Sequence, residues 1–221
     1  MPTKILGDPD LTSGIMCLSH LFSFEWHLGI ILPLSDKWSG GCLPVLKDHG
    51  RYWGKIAVFG DYLPWSVHRA NGGDRSTFPA HSGRILDLKD RSPNAVAHFR
   101  NLIEPEIVSR VVVVTVPSHD PESPRGGLAM LGDAMAAVGR CTYAEGCLVR
   151  THKIDKLARG GDRGKDVHLA SVKVAKPSLI RGQYVLLLDD VTKTGHSLEA
   201  CCELLLAAGA KSVECATIGK T

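Results

Sequence analysis

No Cys-x-x-Cys pair occurs in the chain, although it holds seven cysteines. That spacing commonly opens a thiolate zinc site, so its absence removes the simplest metal-binding reading. What remains is Cys17-x-x-His20 with Cys42 and His49. Against a zinc site there, we expect Cys17 in a core and His49 on the surface, with no resident metal. The adjacent pair Cys201-Cys202 does not belong to a secreted disulfide framework, so reduced thiols and a cytoplasmic location are expected. A large excess of one charge is lacking too. The net charge is +3, with 26 basic and 23 acidic residues. That balance does not by itself call for nucleic acid, and no helix-turn-helix signal is present. No local signature of a serine–histidine–acid triad is found. Long uncharged apolar runs are missing as well. The most apolar stretch, residues 14–34, is interrupted by Glu25, His20 and His27. Asp8 and Asp10 precede it in place of the basic start of a signal peptide. A buried or interface element is expected there, with no membrane partner.

What is present is an ordinary globular composition, 44% hydrophobic and 22% charged over 221 residues. Such a chain can bury one substantial core and a small appendage. Residues 1–83 carry all four tryptophans and many scattered glycines and prolines. They are expected to form an N-terminal appendage or hood, with a strand near Tyr52–Phe59 and a loop at Asn71-Gly-Gly-Asp-Arg-Ser. Residues 84–221 alternate between strand and helix patterns. Ser92-Pro93 opens a helix to about Ile103, and Val111–Val116 is a continuous apolar strand. Gly127–Val138 is helical, Cys147–Arg150 a short strand, and 151–167 loop-like. The last unit is strand, helix (Leu198–Ala208, stopped at Gly209) and strand (Ser212–Ile218). This alternation predicts an α/β fold with a doubly wound, mostly parallel sheet.

The segment Val185–Ser197 carries the most chemistry. Val185–Leu188 has no polar alternation, so it is a strand buried on both faces. It runs directly into Asp189 and Asp190, at the strand edge where α/β proteins place ligands. Thr192, Lys193, Thr194, Gly195, His196 and Ser197 follow as a polar loop at a helix N-terminus, a natural receiver for a phosphate. The carboxylates can accept hydrogen bonds from a diol or stand near magnesium.

These thirteen positions resemble the phosphoribosyl pyrophosphate (PRPP) motif of type I phosphoribosyltransferases. The resemblance implies that Asp189 and Asp190 hold the ribose hydroxyls and that the loop through Ser197 wraps the 5′-phosphate. Lys193 stands where purine-type members have an aspartate, which argues against purine salvage of that kind. The loop after the Val111 strand holds Ser118, His119 and Arg125. Its position resembles the family's pyrophosphate loop. Leu88-Lys89, Val116-Pro117 and Arg125-Gly126 are similar to segments of the competence protein F-like branch. The basic stretch with Lys153, Lys156, Arg159 and Arg163 lies where the family keeps a catalytic loop that closes over PRPP. The usual glutamine is absent, with Asp155 or Lys156 nearby instead. The resemblance implies a PRPP-dependent transferase that uses Mg²⁺ with PRPP, transfers ribose 5-phosphate to an unidentified base or amine and releases pyrophosphate. The alternative is a non-catalytic PRPP or nucleotide sensor, linked to DNA uptake or nucleic-acid processing. A homo-oligomer is compatible with either. Trp26, Trp38, Trp53, Trp65 and Tyr62 are available to stack on an acceptor, although core and interface roles are the expectation.

Overall fold

The computed structural model describes residues 45–47, 51–108, 110–154 and 164–221. The chain divides into two units, Met1–Pro33 and Leu34–Thr221, and every described residue lies in the second. The apolar stretch at 14–34, the set Cys17, His20, Cys42 and His49, the tryptophans Trp26 and Trp38, and Asp155, Lys156, Arg159 and Arg163 fall outside the described residues.

Eight strands and six helices are described: β1 Tyr52–Trp53, β2 Ile56–Val58, α1 Trp65–Ala70, α2 Ala80–Lys89, α3 Pro93–Ile103, β3 Val111–Thr115, α4 Gly127–Ala136, β4 Cys141–Tyr143, β5 Leu148–Arg150, α5 Lys165–Ser171, β6 Val172–Val174, β7 Tyr184–Thr192, α6 His196–Ala207 and β8 Ser212–Lys220. Six strands form one sheet in the order β1-β2-β8-β7-β3-β4. Every pairing from β2 to β4 is parallel, and only the edge strand β1 runs antiparallel. β5 and β6 make a separate antiparallel ribbon. The expected α/β fold with a mostly parallel sheet is therefore the observed one.

The apolar runs explain the layering. Successive side chains of a strand point to opposite faces, so a run without alternation needs cover on both. Leu186 and Leu188 of β7, with Val111 and Val113 of β3, join Ile85 and Leu88 of α2, Phe99 of α3 and Leu131 of α4 in one core. Val185 and Leu187, with Val112 and Val114, join Leu198, Cys201 and Leu205 of α6 in the other. One strand sequence thus supplies two cores.

Three local outcomes differ from expectation. The 52–59 stretch is a tight hairpin of two short strands, because Gly54 at φ +58° turns the chain between them. Its second strand pairs in parallel with β8, so residues ahead of 84 complete the main sheet. Residues 165–167, expected in a loop, begin α5.

One close approach matters for the site. A Cβ on Gly127 would lie 1.7 Å from the carbonyl oxygen of Leu88. Only glycine lets the start of α4 sit this close to the end of α2, one residue before Lys89.

Candidate active site

The site grows from the C-terminal end of β7. Thr115 of β3 pairs with Leu188, and the Val116 N–H donates to the Leu188 carbonyl at 3.0 Å. The loop after β3 therefore leaves the sheet beside Asp189. Asp189 is buried, at 8% exposure. Its Oδ1 accepts the Asp190 N–H at 2.9 Å and its Oδ2 accepts the Ser197 hydroxyl at 3.1 Å. Burial pushes the Asp189 carboxyl up from its ordinary 3.8 to about 7, with the charge of Asp190 adding to the rise. Two donors do not offset the loss of water around a buried carboxylate. Asp190 lies nearer solvent, and its Oδ1 accepts the Val191 N–H at 2.6 Å.

Beyond the carboxylates the chain makes a tight turn. The buried Thr192 hydroxyl accepts the Gly195 N–H at 3.0 Å, so this side chain shapes the loop from within. Gly195 adopts φ +77°, the left-handed region, and caps α6. The first helical bond runs from the Glu199 N–H to the Gly195 carbonyl at 2.9 Å. The N–H groups of His196 to Leu198 therefore have no carbonyl partner within the helix. Lys193 and Thr194 are exposed, while His196 and Ser197 are half-buried. The turn, the dipole of a 12-residue helix and the exposed Lys193 together favour an anion at this point.

In the sequence, Lys89 stands out only as part of a family segment. The structure places its Nζ 3.5 Å from Asp190 Oδ2 and over the Tyr62 ring, 5.3 Å from the centroid. This cation partly balances the acidic pair. Both partners are substantially exposed, at 40% and 32% of the side chain, so the pair adds little to folding. Lys89→Met is expected to change unfolding free energy by less than about 0.5 kcal/mol, measured by denaturant unfolding.

The other predicted residues are divided between two places. Ser118 and His119 lie on the loop after β3, where the Ser118 hydroxyl meets Ser123 Oγ at 3.2 Å and His119 Nδ1 at 3.4 Å. Lys153 pairs with Asp120 of the same loop at 2.5 Å, and its ammonium holds the Asp120 carboxyl below its ordinary range. The Ile154 N–H donates to the His119 carbonyl at 3.0 Å. The basic stretch is thus tied at its start to the loop after β3. Arg125 is engaged elsewhere. Its guanidinium pairs with Glu145 at 2.5 Å and with Asp133 of α4. It lines a groove of about 450 Å³ with Val96 and Arg100 of α3 and Met130 of α4. The missed residue is Arg150. It is buried to 6% exposure, and its Nε donates to the Ser118 carbonyl at 2.5 Å. No pattern local to β5 signals that contact, which spans 32 positions of sequence.

Residues 109–220 match the family described as phosphoribosyl transferase domain. The chain belongs to this family. No curated protein matches it. Among solved structures, a hypoxanthine phosphoribosyltransferase from Staphylococcus aureus overlaps 60% of this chain at 16% identity, with a TM-score of 0.31. The chain spans 62% of that protein's length. A purine phosphoribosyltransferase from Pyrococcus horikoshii overlaps 74% of this chain and 88% of its own, at 14% identity and a TM-score of 0.30. The family match, not these overlaps, carries the assignment.

The family's use of Mg²⁺ with PRPP can be weighed against the side chains. Among the described residues, no three His, Cys, Asp or Glu side chains gather where they could hold a metal ion. The hard oxygens of Asp189 and Asp190 suit magnesium, which keeps waters and takes most other ligands from substrate phosphates. The residues fit a metal that arrives with its substrate. Among the described residues, no helix is long and apolar enough to cross a membrane.

Proposed function

We propose that this protein transfers the 5-phosphoribosyl group of PRPP to a nitrogenous base or amine, with release of pyrophosphate. The observation that carries this reading is the continuous path from the Asp189–Asp190 pair into a left-handed glycine turn capping α6. The acidic pair accepts hydrogen bonds from the ribose 2′- and 3′-hydroxyls. The turn from Lys193 to Ser197 takes the 5′-phosphate. The backbone of Ser118 and His119 meets the pyrophosphate, and Lys153, Lys156 and Arg159 offset its charge as it departs. The C1′–oxygen bond to pyrophosphate breaks as the C1′–nitrogen bond forms, through an oxocarbenium-like transition state, and the acceptor nitrogen gives up its proton to the departing pyrophosphate or to water. Positioning and electrostatics do most of the work, and magnesium, when bound beside Asp189 and Asp190, would help offset the charge of the leaving group. The Leu88-Lys89 and Val116-Pro117 segments support a place near the competence protein F-like branch.

Incubation with PRPP, Mg²⁺ and a pool of bases and amines is expected to yield pyrophosphate and a phosphoribosylated product, read by pyrophosphate detection and mass analysis. Measurable PRPP binding with no pyrophosphate from any acceptor would favour a sensor that occupies the same pocket without chemistry.

A further inference from the structure

Arg150 sits at the end of β5, yet its guanidinium reaches three acceptors on two other segments, the loop after β3 and the end of α5. Nε donates to the Ser118 carbonyl at 2.5 Å, Nη2 reaches the Pro117 carbonyl at a longer 3.5 Å, and Nη1 donates to Ser171 Oγ at 2.6 Å. Ser171 in turn donates to the Val167 carbonyl of α5 at 2.6 Å, and the Thr151 N–H donates to the Ser171 carbonyl at 2.8 Å. A buried cation needs such full engagement, since desolvating it without partners is costly.

The consequence lies on the far side of the peptide planes. In a trans peptide the carbonyl and the next N–H point in opposite directions. Drawing the Pro117 and Ser118 carbonyls toward Arg150 turns the N–H groups of Ser118 and His119 the other way. Two successive amides aimed alike form a concave anion receiver. The loop that carries them leaves the sheet beside Asp189.

We infer that Arg150 is a positioning residue for pyrophosphate: from inside the protein it holds the Pro117–Ser118 carbonyls so that the following amides face the leaving group. The inference rests on the transferase reading and adds a residue which touches no substrate. Planar, multidentate arginine is required, because a lysine ammonium cannot hold both carbonyls and Ser171 in one plane.

The test compares two ligands that report different parts of the site. Inorganic pyrophosphate with Mg²⁺ reads the Ser118–His119 loop, and ribose 5-phosphate reads the Asp189–Ser197 side. In Arg150→Lys, pyrophosphate affinity is expected to fall about tenfold or more while ribose 5-phosphate affinity stays within about twofold. Ser171→Ala, which removes one anchor of the guanidinium, is expected to shift the ratio in the same sense by less. It supplies the test should the lysine variant fail to fold. A parallel loss of both affinities, or an unchanged ratio in the folded variants, overturns the assignment of Arg150 and leaves the transferase reading standing. Wild-type protein that binds neither ligand overturns the transferase reading and the assignment with it.

Discussion

Asp189→Asn is expected to raise the stability of the protein and to remove PRPP binding. The carboxyl is buried beside a second acidic group, and its affinity for protons is raised to about 7. Between pH 3.8 and about 7 the folded carboxyl keeps a proton that the unfolded one has released. Raising the pH through that window therefore costs the folded state, and above it the full cost is present. Asparagine carries no charge to desolvate. It can still accept the Asp190 N–H, and the Ser197 hydroxyl can turn to accept from its amide. The gain at pH 8 is expected to be about 1–3 kcal/mol in denaturant unfolding. It should shrink toward zero as the pH falls to about 4. Binding moves the other way. On the proposed transferase reading, the ionised carboxylate accepts from the ribose hydroxyls with charge-assisted strength, and the amide loses about 2 kcal/mol or more of that. The wild-type protein should show the same chemistry in its pH profile, with PRPP affinity falling as the pH drops below about 7. A variant that is less stable than wild type at pH 8, or that binds PRPP normally, would contradict the placement of Asp189 as a desolvated ribose ligand. A buried charge that destabilises the fold is a cost tolerated where a site needs it.

Much of this geometry was legible in the sequence, for physical reasons that also mark where legibility stopped. The β7–α6–β8 unit was readable because a strand covered on both faces has an unmistakable apolar run, and because Gly195 and Gly209 punctuate it. The helix begins at His196, two residues earlier than its composition indicated, since the left-handed Gly195 serves as its cap. β7 extends to Thr192 and not merely to the acidic pair, because the ladder with β8 continues through Val191 and Thr192. Pro93 marked the start of α3 correctly, although the Ser92 hydroxyl makes no capping bond. Short pieces escaped: β4 and β6 have three residues each, too few to show a period. The contacts of Lys89 and Arg150 escaped for another reason. Each acts through a partner distant in sequence, Asp190 for the first and Ser118 for the second. Arg125 shows the converse. Its Arg-Gly context pointed to an anion, and the fold instead surrounds it with Asp133 and Glu145.

Gly195→Val is expected to damage both the fold and the phosphate site, and the two losses can be separated. The backbone at φ +77° penalises any Cβ by about 1–2 kcal/mol, and a β-branched side chain most of all. Space is short as well. A Cβ here would stand 2.9 Å from Trp53 Cζ3 and 3.0 Å from Ile56 Cδ1. These atoms belong to the β1–β2 hairpin, so packing calls for glycine here independently of any ligand. Trp53 is 40% exposed on a two-residue edge strand and can give way, whereas Ile56 is buried in the sheet and cannot easily. Strain and crowding together are expected to cost about 2–4 kcal/mol in urea unfolding. Asparagine tolerates the left-handed region but still carries the Cβ. Gly195→Asn should therefore recover part of the strain while keeping the crowding. Ligand binding reports the second loss. If the Lys193–Ser197 turn receives the 5′-phosphate, both variants should lose affinity for ribose 5-phosphate by about tenfold or more at temperatures where they remain folded. Arg150→Lys, by contrast, should leave that ligand nearly untouched. A folded Gly195→Val protein that takes up ribose 5-phosphate as the wild type does would show that the phosphate lies elsewhere, and the whole orientation of substrate along β7 would have to be reversed or abandoned.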